Sequence, residues 1–549
     1  MKISVSELIV RFMDRLGIAH VFGIPGAHIL PVYDRLYDSP IQTVLVKHEQ
    51  GAAFMACGYA RATGGLSACI ATAGPGATNM VTGIAHAFVE RLPILVVTGE
   101  TSTHIFGKGG LQESSGEGGS INQSALFRDI TRYHRIVERT DYLPQVLRQA
   151  ASILLSPRSG PVLLSFPYNV QKELVEEDIL EHINYSAAGR APCGCLVAAD
   201  DLAQAIMASR YPVIIAGHGC LQSGAGELVA ELVELMAIPI TTSLKGKGIV
   251  GEAESLSLGC LGVTSDGRAY RYIAESADLL VFLGAGFNER TSYLWDERLL
   301  AGKKLIQVDH DAGQLEKVFK ADLAIHGDVH DVLQATLGAL RTRGAQAKSL
   351  DRLSTPPATA AQAAAPAGFR LIERFFDRLA TRFPRDALIV DDNIVFAQRF
   401  LRVSPGHRYF PNSGISSLGH AIPAAIGARF ALANPTFAIL GDGGFQMCCM
   451  ELMTAVNYGI PVNAVVFNNS SMGLIRKNQF QIYGERYIGC DFVNPDFGLL
   501  AKSFGIEHHR IACDADVDAL FRDADLSGAI NLIEIMLDKN DFPSYLSGR

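Results

Sequence analysis

The chain of 549 residues has a single tryptophan, no C-x-x-C pair among its ten cysteines and no excess of positive charge. Each shortage closes off a class of protein. Cys193 and Cys195 are one residue apart, Cys448 and Cys449 are adjacent, and no neighbouring histidine pair supplies zinc spacing. The thiols are therefore expected to be reduced and buried, neither bridged nor metal-bound. With 48 Lys and Arg against 56 Asp and Glu, the net charge of −8 advertises no nucleic-acid surface. No G-x-x-x-x-G-K-[ST] phosphate loop occurs. Residues 62–89 carry no Asp, Glu, Lys or Arg, yet the ATAGPGATN within them breaks any continuous helix. A buried strand, a turn and a buried helix are expected there instead of a membrane span. The stretch MKISVSELIVRFMDRLGI has charges every few residues and no small-residue cleavage site, so it reads as neither a signal peptide nor an anchor. These absences lead to the expectation of a cytoplasmic protein without nucleic-acid or membrane partners.

What is present follows an α/β pattern. Hydrophobic residues make up 48% and charged residues 19%, enough for several cores, and the length suggests three or four domains. Short apolar strands ended by turn residues alternate with helical stretches. LVKHE, CIATAG, PILVVTG and PVLLSFP form a first series. PVIIAGHG, IPITTSL, DLLVFLGAG and KLIQVDHD form a second, and DALIVDDN, TFAILGDGG, NAVVFNN and INLIEIML a third. The alternation predicts an α/β fold of three doubly wound parallel-sheet domains. The aperiodic run Ile183–Cys195 and the Pro/Ala-rich run Ser354–Gly368 separate the series. Domains are accordingly expected at 1–185, 186–350 and 368–549, with a linker at 351–367.

The third series concentrates chemistry. Strand Phe437–Leu440 runs into Gly441-Asp442-Gly443-Gly444 and a helix through Tyr458; strand Val462–Phe467 ends in Asn468-Asn469, so Asn469 follows Asp442 by 27 positions. Ligands of open parallel sheets bind at the carboxyl ends of the strands. Glycines there admit a bulky anion, and a helix start offers its amides to phosphate. A carboxylate, an amide oxygen and a backbone carbonyl suit Mg²⁺, which takes its other ligands from phosphates and water. Alone, GDGG is also compatible with a plain Asp-Gly turn.

GDG followed by an Asn pair resembles the thiamine-diphosphate signature. FGIPGAHILPVYDRL, KHEQGAAFMACGYARATG, TAGPGATN and NSGISSLGHAIPAAIGA are similar to segments of the acetolactate synthase branch of that family, large catalytic subunit type. The resemblance spans nearly the whole chain. It implies a pyrimidine-binding, a central Rossmann-like and a diphosphate-binding domain. It also implies a cofactor held between the first domain of one subunit and the third of another, hence a homodimer or homotetramer. By the same match Asp442, Asn469 and the Ser471 carbonyl are Mg²⁺ ligands, and Gly441, Gly443, Gly444 and Gly473 are cofactor-binding positions. Met472 lines the pyrimidine pocket, Leu418 packs beneath the cofactor, and the Ser416 carbonyl accepts from its exocyclic amine.

Glu49, in HEQGA, matches the cofactor-activating glutamate; it is expected at the end of strand LVKHE, before a helix Ala52–Thr63. A carboxyl group shielded from water can hold a proton and share it with the aminopyrimidine ring. Gly26, Ala27 and His28 follow Pro25 in a tight turn expected to face the thiazolium. His28 stands where relatives carry a small residue or a lysine, and is a candidate for proton transfer as well as for a structural role. Gln123 aligns with a substrate-facing glutamine.

Departures from the family bear on the reaction. Relatives carry an arginine at the position of Gly286 and a tryptophan at that of Asn478. The stretch GKGGLQESSGEGGS is longer than the family norm and is expected to be a mobile loop at the site. IIAGHG, FLGAG, TTSLKGKG, Arg290, Asp309 and His326–Asp328 resemble part of a flavin-binding pattern, which leaves FAD open. The implied activity is thiamine-diphosphate- and Mg²⁺-dependent decarboxylation of a 2-keto acid such as pyruvate, with carboligation to a second carbonyl substrate. The alternatives are a 2-keto acid decarboxylase, a flavin-linked oxidase and, in another class, a dinucleotide-binding oxidoreductase. The vicinal His pair of pyruvate decarboxylases is absent from the first domain, and His508-His509 reads as a loop.

Overall fold

Apolar runs that bury both faces build three parallel sheets of six strands each. A computed structural model of the chain describes residues 1–186, 196–351, 353 and 369–542. In spatial order the first sheet is Gln42–Leu45, His20–Gly23, Ser67–Ala71, Ile94–Glu100, Val162–Pro167 and Tyr133–Ile136. The second is Ser257–Cys260, Ile240–Thr242, Pro212–Ala216, Leu279–Leu283, Lys304–Asp309 and Leu323–His326. The third is Arg408–Pro411, Leu388–Asp391, Thr436–Gly441, Val462–Asn468, Ile530–Met536 and Glu507–Ile511. Counted along the chain, the first and third sheets share the order 2-1-3-4-6-5, and the middle one has 3-2-1-4-5-6. The fold is thus the expected three-domain α/β architecture, with its two outer units built alike.

Several details differ from expectation. His508 and His509 lie in the edge strand Glu507–Ile511, not in a loop, paired in parallel with Ile530–Met536. His508 Nε2 lies 3.1 Å from a Glu534 carboxylate oxygen and His509 Nε2 3.1 Å from the Asn531 amide oxygen. A polar edge run carries no apolar signature, which is why it escapes a reading by hydrophobicity. Glu49 does not close a strand: it is the first residue of helix Glu49–Thr63, because the His48 ring accepts the Gln50 amide and caps that end. Residues 187–195 of the expected boundary run and most of the expected linker 351–367 lie outside the described residues.

The uncharged stretch 62–89 folds as strand Ser67–Ala71 and helices Pro75–Asn79 and Val81–Glu90. Among the described residues no helix is long and apolar enough to cross a membrane, and no cysteine is bridged.

The first and third domains dock through helices Glu49–Thr63 and Ala421–Arg429, both rich in alanine and glycine. A Cβ at Gly58 would lie 1.9 Å from the Ala424 carbonyl oxygen, and one at Gly427 2.0 Å from that of Met55. Only glycine lets the two backbones approach so closely.

All three domains meet at Glu90. Its carboxylate accepts from Lys245 of the central domain at 2.7 Å, while Arg61 donates to the Pro411 carbonyl of the third. Burial pushes the Glu90 carboxyl up, but the attraction of Lys245, Arg61 and His86 outweighs it and holds the group at about 2. A carboxyl depressed in this way contributes stability above the ordinary value of 4.5, and that contribution is lost as pH falls from there towards 2. Glu90→Gln takes the ion-pair partner from Lys245 and the nearby negative charge from half-buried Arg61. It should cost about 3 kcal/mol, read as a lower urea midpoint at neutral pH and a shallower dependence on acid below pH 4.5.

Candidate active site

The third sheet reverses strand order between Leu388–Asp391 and Thr436–Gly441, the point where open sheets leave a crevice. Asp442 follows the second of these strands directly and is 1% exposed. Its Oδ2 accepts the Ser470 amide at 2.6 Å, the Asn494 side-chain nitrogen at 2.8 Å and the Asn469 amide at 3.2 Å. Among the described residues its Oδ1 receives only the Gly443 amide, at 3.0 Å. Burial pushes the carboxyl up and these four donors pull it back, with a net rise. Among the described residues no basic side chain pairs with it. The Asn469 amide oxygen accepts the Ser471 amide at 3.1 Å, which turns the chain so that Ser471 follows closely on the same edge.

Three of the four glycines assigned to the site are held open by packing. A Cβ at Gly443 would lie 2.6 Å from the Met472 sulfur, one at Gly473 2.7 Å from the Asn469 side-chain nitrogen, and one at Gly444 2.7 Å from an Asp392 oxygen. The fourth, Gly441, has only Ile394 nearby, at 3.8 Å. Leu418 lies across from Gly444, its Cβ 3.8 Å from that built position, and Ser416 adopts a left-handed φ of 54°.

Two residues that build this edge escape the sequence reading. Asp392 accepts the amides of Gly419 and His420 at 2.8 Å and of Ala421 at 3.2 Å, tying the Ser416–Leu418 turn to the sheet. Burial pushes it up to about 7. Asn494 bridges Asp442 and the Asn468 amide oxygen and is itself held by Gln446 at 2.7 Å. Its only local signal is the Asn-Pro turn.

The first sheet reverses between His20–Gly23 and Ser67–Ala71. The turn Gly26-Ala27-His28 leaves the former, and a Cβ at Gly26 would sit 2.6 Å from that of Thr72. His28 Nδ1 lies 3.2 Å from the Gln112 amide oxygen, to which the Thr72 hydroxyl also donates at 3.2 Å. Glu49 is 9% exposed and its Oε2 accepts from Asn79 at 2.9 Å.

Gln123 does not join this edge. It is wholly buried inside the domain, its side-chain nitrogen donating to Thr98 at 2.8 Å and Ser165 at 3.2 Å. The structure brings Gln112 to His28 in its place. The physical reason is the path of the loop, which turns at Gln112 with a left-handed φ of 55° and has already returned into the domain by Gln123.

Within one chain the hydrogen bonds of Glu49 and of Asp442 share no group among the described residues. The third domain nevertheless reaches the start of the Glu49 helix, where Glu451 accepts the amides of Lys47 at 3.1 Å and His48 at 3.0 Å.

In the central domain Gly217 packs on Gly284, whose carbonyl oxygen would lie 2.2 Å from an added Cβ. The cations of the flavin-like segments are already engaged. Lys247 pairs with Glu252 at 2.9 Å, Lys245 with Glu90, and Arg290 donates to the Asn393 side-chain oxygen at 2.6 Å. A Cβ at Gly286 would meet open space.

Two sheets of identical strand order, each offering its switch-point edge to a ligand, describe a cofactor enzyme whose site is split between domains. Comparison with known families gives the same division. Residues 3–119 match the thiamine pyrophosphate enzyme N-terminal TPP binding domain, 199–336 the central domain and 392–535 the C-terminal TPP binding domain. The chain belongs to the thiamine pyrophosphate enzymes, which makes thiamine diphosphate its cofactor.

Within that family it is 32% identical to the "Probable acetolactate synthase large subunit" of Methanocaldococcus jannaschii and to the acetolactate synthase large subunit of Pyropia yezoensis. Each alignment covers 97% of this chain and 92% of the relative. It is also 32% identical to the acetolactate synthase of Mycobacterium bovis, over 97% of this chain and 87% of that protein.

Proposed function

We propose that the protein is a thiamine-diphosphate- and Mg²⁺-dependent carboligase of the acetolactate synthase type, with domains at 1–185, 186–350 and 368–549. It decarboxylates a 2-keto acid such as pyruvate and joins the remaining fragment to a second carbonyl compound. The observation that carries this reading is Asp442: a buried carboxylate with one oxygen saturated and the other nearly bare, beside Asn469 and without a cationic partner among the described residues. That donor set fits Mg²⁺.

Asp442, Asn469 and the Ser471 carbonyl would hold the metal, and the backbone without side chains at Gly441, Gly443, Gly444 and Gly473 would approach the diphosphate. Leu418 and Met472 supply apolar packing, and Ser416 a carbonyl acceptor. When bound, the thiazolium ring supplies the electron sink for decarboxylation. Glu49 would share a proton with the ring nitrogen, and Gly26 would let the His28 turn approach. His28 exchanges a proton with substrate, while Gln112, in preference to Gln123, reaches the same space.

As the family resemblance implies, the complete site takes its glutamate edge from a second copy, in a homodimer or homotetramer; among the described residues Glu49 and Asp442 share no hydrogen-bond partner within one chain. Exposed apolar side chains on the segments bearing the metal site, Ile488 at 81% and Val493 at 91% among them, supply a surface for that copy. Gly286 offers no side chain to a second carboxylate, which favours an acceptor not gripped at that position. With Lys245 and Lys247 in ion pairs and Arg290 bound to Asn393, the central crevice is assigned no flavin.

The test is incubation with thiamine diphosphate, Mg²⁺, pyruvate and a panel of aldehydes and 2-keto acids. The expected outcome is 2-hydroxy ketones by mass spectrometry from an enzyme without visible flavin absorption. Free aldehyde as the only product would support the decarboxylase alternative. Bound NAD or flavin with turnover independent of thiamine diphosphate would overturn both.

A further inference from the structure

Strand Ile94–Glu100 ends in a carboxyl group for which the proposed chemistry has no use. Glu100 is completely buried. Its Oε1 accepts the amides of Thr101 at 2.8 Å and of Ser114, across the loop, at 3.0 Å. Its Oε2 is enclosed with no hydrogen-bond partner among the described residues. The Ser114 hydroxyl donates to the Gln112 carbonyl at 3.0 Å, and Gln112 reaches Thr72 and His28. Glu113 accepts the amides of Gly107, Gly109 and Gly110 and the Ser115 hydroxyl. The Gly/Ser-rich loop is therefore wound around two carboxyl groups, not over an apolar core, and this tethering departs from the expectation of a loose segment.

We propose that Glu100 is a positioning residue. By bridging Thr101 and Ser114 it fixes the loop in the left-handed turn that sets Gln112 against His28, so that His28 carries its proton on Nδ1 and keeps a lone pair on Nε2. This rests on the reading that His28 and Gln112 face the reacting centre.

An enclosed oxygen without a donor is costly as an anion, so the closed loop favours the neutral carboxyl. Burial pushes Glu100 up to about 7, against the pull of the Thr101 and Ser114 amides and with a further push from Glu113. The other titratable groups around it are His28, packed on Gly99, and Tyr168, whose amide donates to the Glu100 carbonyl and whose ring lies under Lys172. The paired strand Val162–Pro167 has no charged residue. An open loop would return Glu100 to water and to its ordinary 4.5. Proton uptake therefore favours the closed loop: that stabilisation is full below pH 4.5, is lost as pH rises from there through 7, and is absent above.

Hydrogen exchange across residues 106–122 of the holoenzyme reads this directly. In the wild type, protection corrected for intrinsic rate should fall about tenfold between pH 6 and 8.5. Glu100→Gln keeps the bridging oxygen and is neutral, so its protection should not change with pH and its kcat profile should lose the corresponding alkaline limb. Glu100→Ala should lose protection at every pH and lower kcat about tenfold with thiamine diphosphate affinity unchanged. The proposal is overturned if Glu100→Gln keeps the wild-type pH dependence, or if Glu100→Ala leaves the segment as protected as before. Failure of the wider reading would show differently, as absent cofactor binding with the loop behaviour intact.

Discussion

Glu49→Gln lowers kcat by about 10²- to 10⁴-fold, the usual worth of a positioned acid–base group, and changes thiamine diphosphate affinity only a few-fold. Glu49 is nearly buried at the first position of its helix, and its Oε2 accepts from Asn79. A glutamine has the same shape and can keep one such contact, so the site survives geometrically. What it cannot do is share a proton with a ring nitrogen. The loss should appear in kcat and, independently, as slower deuterium exchange at the thiazolium carbon of bound cofactor, followed by quenched-flow NMR. Full turnover together with wild-type exchange in this variant would remove Glu49 from the mechanism.

Asp442→Ala is expected to weaken thiamine diphosphate binding in the presence of Mg²⁺ by about 10²-fold or more, as for loss of a buried charged partner. Two effects are combined in that figure. The substitution removes the anion that pairs with the cation, and it takes away the oxygen on which the Ser470 and Asn469 amides and the Asn494 side chain converge. Among the described residues this leaves the Ser470 amide and the Asn494 side-chain nitrogen only their bonds to the Asn468 side chain and, for Asn494, to the Ser470 hydroxyl. Asp442→Asn separates them. Its amide oxygen still accepts from those donors, so the fold should unfold at nearly the wild-type urea midpoint, yet an uncharged amide is a poor partner for Mg²⁺. Calorimetric titration with Mg²⁺ and thiamine diphosphate should give a comparable loss of affinity for both variants. Wild-type affinity in Asp442→Asn would show that the metal is held elsewhere.

The parts legible in the amino-acid order were those with local or periodic signals. Strands such as Ile94–Glu100 and Val462–Asn468 are buried on both faces and stand out as continuous apolar runs. Edge strands such as Glu507–Ile511 bury one side at most and do not. The run from Asp442 to Asn469 was visible because one strand–helix–strand unit carries both residues. Asp392 and Asn494 were not: each acts on a segment tens of residues away, Asp392 through backbone amides and Asn494 through its side chain on Asp442.

Local chemistry in the chain was enough to specify the three-sheet architecture, the cofactor family and the carboxylates at the sheet edges, because burial and glycine-dependent turns act over a few neighbouring residues. Which of two glutamines eleven positions apart meets His28, and which carboxyl groups hold the loop between them, depended on the folded path. Glycines at 107, 109, 116, 118 and 119 with positive φ leave many routes open to that stretch, and the bonds to Glu100 at the end of the strand and to Glu113 within the loop help to select one of them.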